Sequence, residues 1–311
     1  MDLLTQESSF IKFDDVYESE CIINTGDFAR KTYYGIEQNP QYCRFCNKCS
    51  PLVTFQTQAH LIPKLLGSKY LLSYFECDNC NSEFKQYDSD LANFIGVLRT
   101  VTGISGKSRV PKYKDRDLVI YQSGEKEITF VSPELTKSIQ EGHKQIIINA
   151  VKPSFRPINV YKCLLKMGLS IIAHNEAENF RSAYEFLLSN KNQNSEGIQV
   201  SMNILQVFVP GPSSLKSPVL HLWRRKDNRL EYPEKVVVLH VKNLKFGFYL
   251  PLSINDMHLV GKELKMPILQ LVMTKEYIDK YGGPIYKIVN LAENKVIQGK
   301  DDILILKQYD T

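Results

Sequence analysis

The sequence predicts an α+β protein in two parts, and three observations carry that expectation. Two Cys-x-x-Cys turns, Cys43/Cys46 and Cys77/Cys80, frame a small N-terminal unit. Two stretches with apolar residues at helical spacing, 160–173 and 176–188, read as a helix pair. Beyond residue 197 the chain is dominated by short β-branched and aromatic runs separated by turn signals, the pattern of a mainly antiparallel sheet. Helices followed by a run of strands make the second part α+β.

Composition fits this plan. The chain has 311 residues, 43% hydrophobic and 23% charged, the balance of a globular protein with material for two cores. A formal net charge of +5 permits nucleic-acid binding but requires a local basic face to support it. The first residues, Met1-Asp2-Leu3-Leu4-Thr5-Gln6-Glu7, lack the basic start and apolar core of a signal peptide. The most apolar helical stretch, 163–173, is interrupted by Lys166 and is far shorter than the roughly 20 residues that span a bilayer. A cytoplasmic protein with no membrane partner is therefore expected. In a reducing compartment, closely paired cysteines are metal ligands before they are disulfides.

In chain order, residues 1–40 read as a leader with one strand at 9–13 and an acidic patch at Asp14, Asp15, Glu18 and Glu20. Residues 41–105 hold the cysteine-framed unit, which closes with a helix over 88–101. Leu91, Phe94, Ile95, Leu98 and Val101 set that helix, with Asp88 or Ser89 as cap and an end near Gly103. Residues 106–145 begin with a basic run and continue into a hairpin, 118–121 and 127–131, turning at Ser123-Gly124-Glu125. Residues 146–311 form the second part, opening on a buried strand at 146–148. In its helix pair, Val160, Cys163, Leu164, Met167, Ile171 and Ile172 share one face; Phe180, Ala183, Tyr184, Leu187 and Leu188 share another. Strands are expected at 197–209, 218–224, 235–241, 246–250, 268–273, 285–289 and 303–307.

Tetrahedral zinc needs four soft donors, and each Cys-x-x-Cys turn presents two thiolates to one ion. With 30 residues between Cys46 and Cys77, the two turns make Cys43, Cys46, Cys77 and Cys80 a structural Zn²⁺ site. Cys49 follows closely enough to compete, but the first knuckle is complete without it. Cys163 lies in an apolar helical pattern and reads as a small core residue. Between the knuckles, His60 precedes Leu61-Ile62-Pro63 in a strand-like stretch. Its imidazole titrates near working pH and can take a proton from water. Asn81 directly follows the fourth cysteine, where a helix can begin. Its amide oxygen suits a hard divalent cation, or a plain helix cap.

These pieces together resemble the HNH endonucleases, in the branch with a zinc-knuckle frame. The resemblance rests on Cys43-x-x-Cys46, Ala59-His60-Leu61-Ile62-Pro63, Leu66-Gly67 and Cys77-x-x-Cys80-Asn81, and covers roughly 45 residues. It implies a ββα-metal unit: two strands, a loop and a helix around one catalytic cation, Mg²⁺ or Mn²⁺. It also implies His60 as general base, Asn81 as a ligand of that cation and the four cysteines as a separate structural zinc site. Two positions depart from the family pattern. Ala59, preceded by Gln58, stands where many members carry an acidic ligand, and Leu72 or Ser73 stands at the family's middle asparagine. Gln58, Glu83 and Asp88 are oxygen donors that the sequence leaves equivalent as replacements.

The run Lys107, Arg109, Lys112, Lys114 and Arg116, with Asp115 its single acid and Tyr113 and Pro111 interleaved, suits phosphate-backbone contact or a solvated loop. Trp223-Arg224-Arg225-Lys226 is a second basic cluster at a strand end. His143, His174, His221, His240 and His258 are scattered without ligand spacing. The leading expectation is a metal-dependent DNA endonuclease or nickase. The alternative is a zinc-containing nucleic-acid or protein binding module whose catalytic site has decayed. The second part resembles accessory regions beside HNH units in bacterial proteins, which implies partner proteins and defence against foreign DNA.

Overall fold

Residues 157–171 form a helix with no solvent-facing side: all 15 are buried, Lys162 and Lys166 included. The rest of the fold is arranged around it. The computed structural model describes residues 12–106, 108–124, 127–141, 145–189, 201–251, 253–264, 269, 271–300 and 302–307. Its first part contains α1 (Phe13–Val16), β1 (Tyr17–Asn24), β2 (Thr32–Tyr34), β3 (Leu71–Ser73), α2 (Asp78–Ile95) and α3 (Leu98–Val101). Next come β4 (Tyr113–Asp115), β5 (Leu118–Gln122), β6 (Ile128–Val131), α4 (Pro133–Gln140) and β7 (Gln145–Ala150). The central helix is α5 (Pro157–Ile171), followed by α6 (Arg181–Leu188), β8 (Asn203–Phe208) and β9 (Val219–Arg225). The chain continues through β10 (Lys235–Val241), β11 (Leu244–Tyr249), α7 (Lys275–Tyr281), β12 (Ile285–Asn290) and β13 (Asp302–Lys307).

Proline in the first turn of α5 starts the helix where no backbone donor is needed, and its apolar residues then cover both sides. One side meets an antiparallel sheet of six strands in the order β1-β9-β10-β11-β8-β12. Gly168 makes that approach possible: a Cβ there would lie 2.5 Å from Leu250 and 3.1 Å from Val237. The other side meets α2. One apolar core therefore runs from Cys43 and Phe84 through Leu164 and Met167 to Phe246 and Leu250. Each fully buried leucine or phenylalanine in it contributes about 1.5–3 kcal/mol.

The α2–α5 contact also carries polar bonds. Asp90 accepts from the Arg156 amide (3.0 Å) and Asn159 Nδ2 (2.7 Å) at the start of α5. Cys163 Sγ donates to Asp88 at 3.4 Å. Lys162 donates to the Ser189 carbonyl at 2.5 Å and lies over the Phe186 ring. Cys163 is thus a core residue, as its apolar setting suggested.

The strand expectations hold closely for β9 to β12 and for the β5–β6 hairpin, where period-2 and β-branched runs are uninterrupted. Several readings change, and the strand expected buried at 146–148 is β7, which pairs with β13 and leaves Ile147 exposed. The leader's strand is β1, beginning at Tyr17, while Phe13 opens α1 and residues 9–11 lie outside the described set. Its acidic residues belong to the sheet edge: Glu18 pairs with Arg224 (3.0 Å), and Glu20 with the buried Lys235 (2.5 Å). Arg225 pairs with Asp256 and Lys226 bonds the Asp14 carbonyl, so the second basic cluster is committed to internal partners.

The helix expected over 88–101 starts at Asp78 instead and stops at Gly96, whose φ is +60°. Its first turns carry Cys80, Phe84 and Tyr87 buried at helical spacing with Leu91, a pattern that a reading begun at Asp88 leaves out. Over 268–273, the described residues are irregular; Leu269 packs against the outer face of the sheet rather than extending it. The second helix of the pair shortens to α6, because His174–Phe180 form a 3-10 turn. Among the described residues, no helix is long and apolar enough to cross a membrane.

Candidate functional site

The two knuckles are built differently. Cys43 and Cys46 lie on a tight turn in which the Asn47 amide donates to the Cys43 carbonyl (3.0 Å) and Asn47 takes φ +61°. Asparagine tolerates that left-handed conformation better than most residues. Cys77 is the N-cap of α2, and Cys80 lies in its first turn. The sulfurs of Cys43 and Cys80 are 3.8 Å apart, as are those of Cys46 and Cys77. All four lie within 4.8 Å of one another. A tetrahedron with Zn–S of about 2.3 Å separates its ligands by about 3.8 Å, so the cluster fits one Zn²⁺. Cys49 is not part of it, and no second cluster of three or more His, Cys, Asp or Glu ligands occurs among the described residues.

The residues between the first knuckle's cysteines dock it on the helix pair. Arg44 Nη1 donates to the Ile172 carbonyl at 2.8 Å. Phe45 meets the rings of Phe84 (5.0 Å) and Tyr184 (5.7 Å) edge-on.

His60 forms a single antiparallel bridge with Leu72. The bonds Leu61 N to Leu71 O (3.3 Å) and Ser73 N to Ala59 O (2.9 Å) flank it. The intervening loop turns at Gly67, φ +99°, and Arg99 Nη2 holds it through the Leu65 carbonyl. The chain then runs through β3 into α2.

Asp78, in the first turn of α2, fastens the segment leading to His60. It accepts from the amides of Gln56 (3.0 Å) and Thr57 (2.7 Å) and from the hydroxyls of Thr54 (2.5 Å) and Thr57 (2.6 Å). Desolvation opposes its charge, but these bonds hold its carboxyl well below the usual carboxylate range. Asn81 Nδ2 donates to Thr57 Oγ1 at 3.0 Å. Since Cys77 occupies the N-cap, Asn81 is not the helix cap.

Both ring nitrogens of His60 are hidden from solvent and have no hydrogen-bond partner among the described residues. Burial lowers the His60 pKa, and the nearby cations Lys64, Lys166 and Lys31 lower it further, to about 4. The imidazole is therefore neutral at neutral pH, in a cationic setting. Ala59 is 1% exposed and offers no ligand. Gln58 and Glu83 are exposed, whereas Asp88 faces Cys163 in the core and is removed from the ligand alternatives.

The His60 bridge against β3, a turn-rich loop and a helix, framed by four cysteines that could hold zinc, make up a ββα-like unit. Residues 43–93 match the family model described as HNH endonuclease, so the chain carries an HNH-family segment. No curated protein and no solved structure matches the chain.

Of the expected phosphate-contacting residues, Lys107 lies outside the described residues, and Arg109, Lys112, Lys114 and Arg116 are all exposed. Lys114 lies in β4, a short strand where the basic run suggested a loop, with Lys112 just before it and Arg116 in the turn just after. Thr100 Oγ1 donates to the Pro111 carbonyl (2.9 Å) and Tyr113 Oη to the Val151 carbonyl (3.1 Å), fixing this strand beside α3.

Sequence reasoning missed Asp78, Thr57, Glu76 and Lys166. Only Lys166 left a signal, as a charge inside an apolar helical stretch. Its Nζ lies 2.5 Å from the His60 carbonyl and 2.9 Å from Glu76. The zinc assignment predicts about one Zn²⁺ per folded chain. Cys77→Ser should lose it, with lower solubility and melting temperature; metal analysis finding stoichiometric zinc in that folded variant would contradict the four-cysteine site.

Proposed function

We propose that this protein is a metal-dependent endonuclease or nickase acting on DNA, with His60 as general base. The observation that carries the reading is the state of His60 within the HNH-family segment. Its ring nitrogens are buried without partners among the described residues, and burial, helped by nearby cations, keeps the ring neutral. Buried polar atoms without partners are uncommon, and a catalytic role or an unlocated water or ion accounts for them. Lys31 and Lys64 would draw a phosphodiester toward the ring, and His60 would accept the proton of the attacking water.

Asn81 is the residue we assign to the divalent cation. Its Oδ1 accepts no bond among the described residues, since Nδ2 is the atom held by Thr57. One protein oxygen fits a Mg²⁺ or Mn²⁺ that keeps water and substrate phosphate oxygens as its other ligands. Such an ion supplies charge neutralisation at the phosphate and the leaving oxygen. The structural zinc site is closed by four thiolates and is not credited with chemistry. Ala59 is the observation that favours the other reading, a zinc-framed binding module without catalysis.

The setting we infer is the cytoplasm, in defence against foreign DNA alongside partner proteins. Phosphate contact is assigned to Arg109, Lys112, Lys114 and Arg116, with Lys107 retained from the sequence pattern.

With Mg²⁺ or Mn²⁺, the wild-type protein should nick or linearise supercoiled plasmid, and His60→Ala should lower the rate by about 10²–10⁴-fold. Because the base stays neutral down to about pH 4, wild-type cutting should persist at pH 5.5. Equal cutting by both proteins removes His60 as base; no cutting by either supports the binding module. Separately, Lys112→Ala/Lys114→Ala/Arg116→Ala should weaken binding to duplexes of any sequence. Its salt dependence should become shallower, by about 0.9 in log–log slope for each phosphate no longer neutralised. An unchanged slope would assign these cations to solvent.

A further inference from the structure

The unit that matches the HNH family ends at residue 93, yet a residue far beyond it reaches the backbone of the proposed base. We propose that Lys166 of α5 is a positioning residue of the HNH site, joining the His60 strand to the entrance of α2. This rests on the reading of His60 as base.

Lys166 is 6% exposed, and its ammonium is 2.5 Å from the His60 carbonyl and 2.9 Å from Glu76 Oε2. Glu76 is 2% exposed and immediately precedes Cys77, the N-cap of α2. The rings of Phe45 and Phe84 lie 6.0 and 5.9 Å from Nζ, so the cation sits among groups of the knuckle frame. Three pieces of backbone therefore meet at one ammonium: the bridge that carries His60, the link from β3 into α2, and α5.

A buried ion pair is weak evidence for stability, since well-packed apolar residues often do as well in its place. What apolar residues cannot supply is a bond to the His60 carbonyl. The His60 strand is a single bridge with two flanking backbone bonds, one of them 3.3 Å long. Such a tether alone leaves the ring free to shift against Asn81, which α2 holds. The ammonium adds the missing constraint. It does so from the helix that the sheet holds on its other side, so the second part of the chain helps to set the catalytic geometry.

The test uses Lys166→Met/Glu76→Gln in the full chain, which removes both partners of the pair; Asp88, whose charge Lys166 also favours, keeps its bond from Cys163. It should retain zinc and plasmid binding, while kcat falls on the order of 10–100-fold with KM nearly unchanged. Hydrogen exchange at the Leu61 and Ser73 amides should accelerate on the order of tenfold or more, and exchange in β10 should not. Wild-type kcat in the double variant, or unaltered protection at Leu61 and Ser73, overturns the proposal. A fall in KM-side binding equal to the fall in kcat, with general loss of protection, reads as a purely structural role and overturns it too. If the wild type cuts nothing, the base assignment fails, and the exchange measurement still decides whether Lys166 fixes the His60 strand.

Discussion

Everything in this protein depends on α5 being buried from two directions at once. Its residues have to satisfy a six-stranded sheet on one side and a cysteine-framed ββα-like unit on the other. A glycine at 168 lets it lie close to the sheet, polar bonds from Asp88 and Asp90 fix it against α2, and the Ser189 carbonyl ties it to the end of α6. A helix buried all round has no spare face with which to tolerate a shift. The zinc knuckle inherits this rigidity, because Arg44 and Phe45, between its first two cysteines, dock on the same helix pair.

Charge is distributed with a comparable economy. The acidic residues at the start of the chain close the sheet through Arg224 and Lys235, with Glu176 also 2.9 Å from Lys235. That leaves the strand-end cations neutralised within the fold. Arg109, Lys112, Lys114 and Arg116, on and around β4, instead face solvent, at the point where the chain leaves the ββα unit through α3. Around His60 a further set of lysines works on the ring itself. Each favours the neutral imidazole, and together they make the surroundings attractive to an anion. The same side chains would thus serve the proposed base and its proposed substrate.

Much of the candidate site was legible in the sequence because its information is local. Cys-x-x-Cys turns, the His60 strand and the asparagine after Cys80 are read within a few residues, and the family match covers that same stretch. The sheet was legible where both faces are buried, as in β10, whose Val236, Val237, Val238 and Leu239 leave little choice but strand. What could not be read depends on partners far along the chain. Glu18 and Glu20 look like a solvated acidic patch until Arg224 and Lys235 stand opposite. Lys166 looks like a blemish in an apolar helix until Glu76 and the His60 carbonyl are placed beside it. Ala59 departs from the family pattern, and its burial shows that the substitution leaves that position without any ligand.

The central claim is that the HNH segment gathers a divalent cation at Asn81 within reach of His60 to act on a phosphodiester. Crystals of His60→Ala grown with Mn²⁺ and a short DNA duplex would test it most directly, through anomalous scattering at the manganese edge. The account predicts a manganese peak at Asn81, with a DNA phosphate between that ion and position 60. A duplex bound with no manganese at Asn81, or manganese confined to sites away from α2, would contradict it.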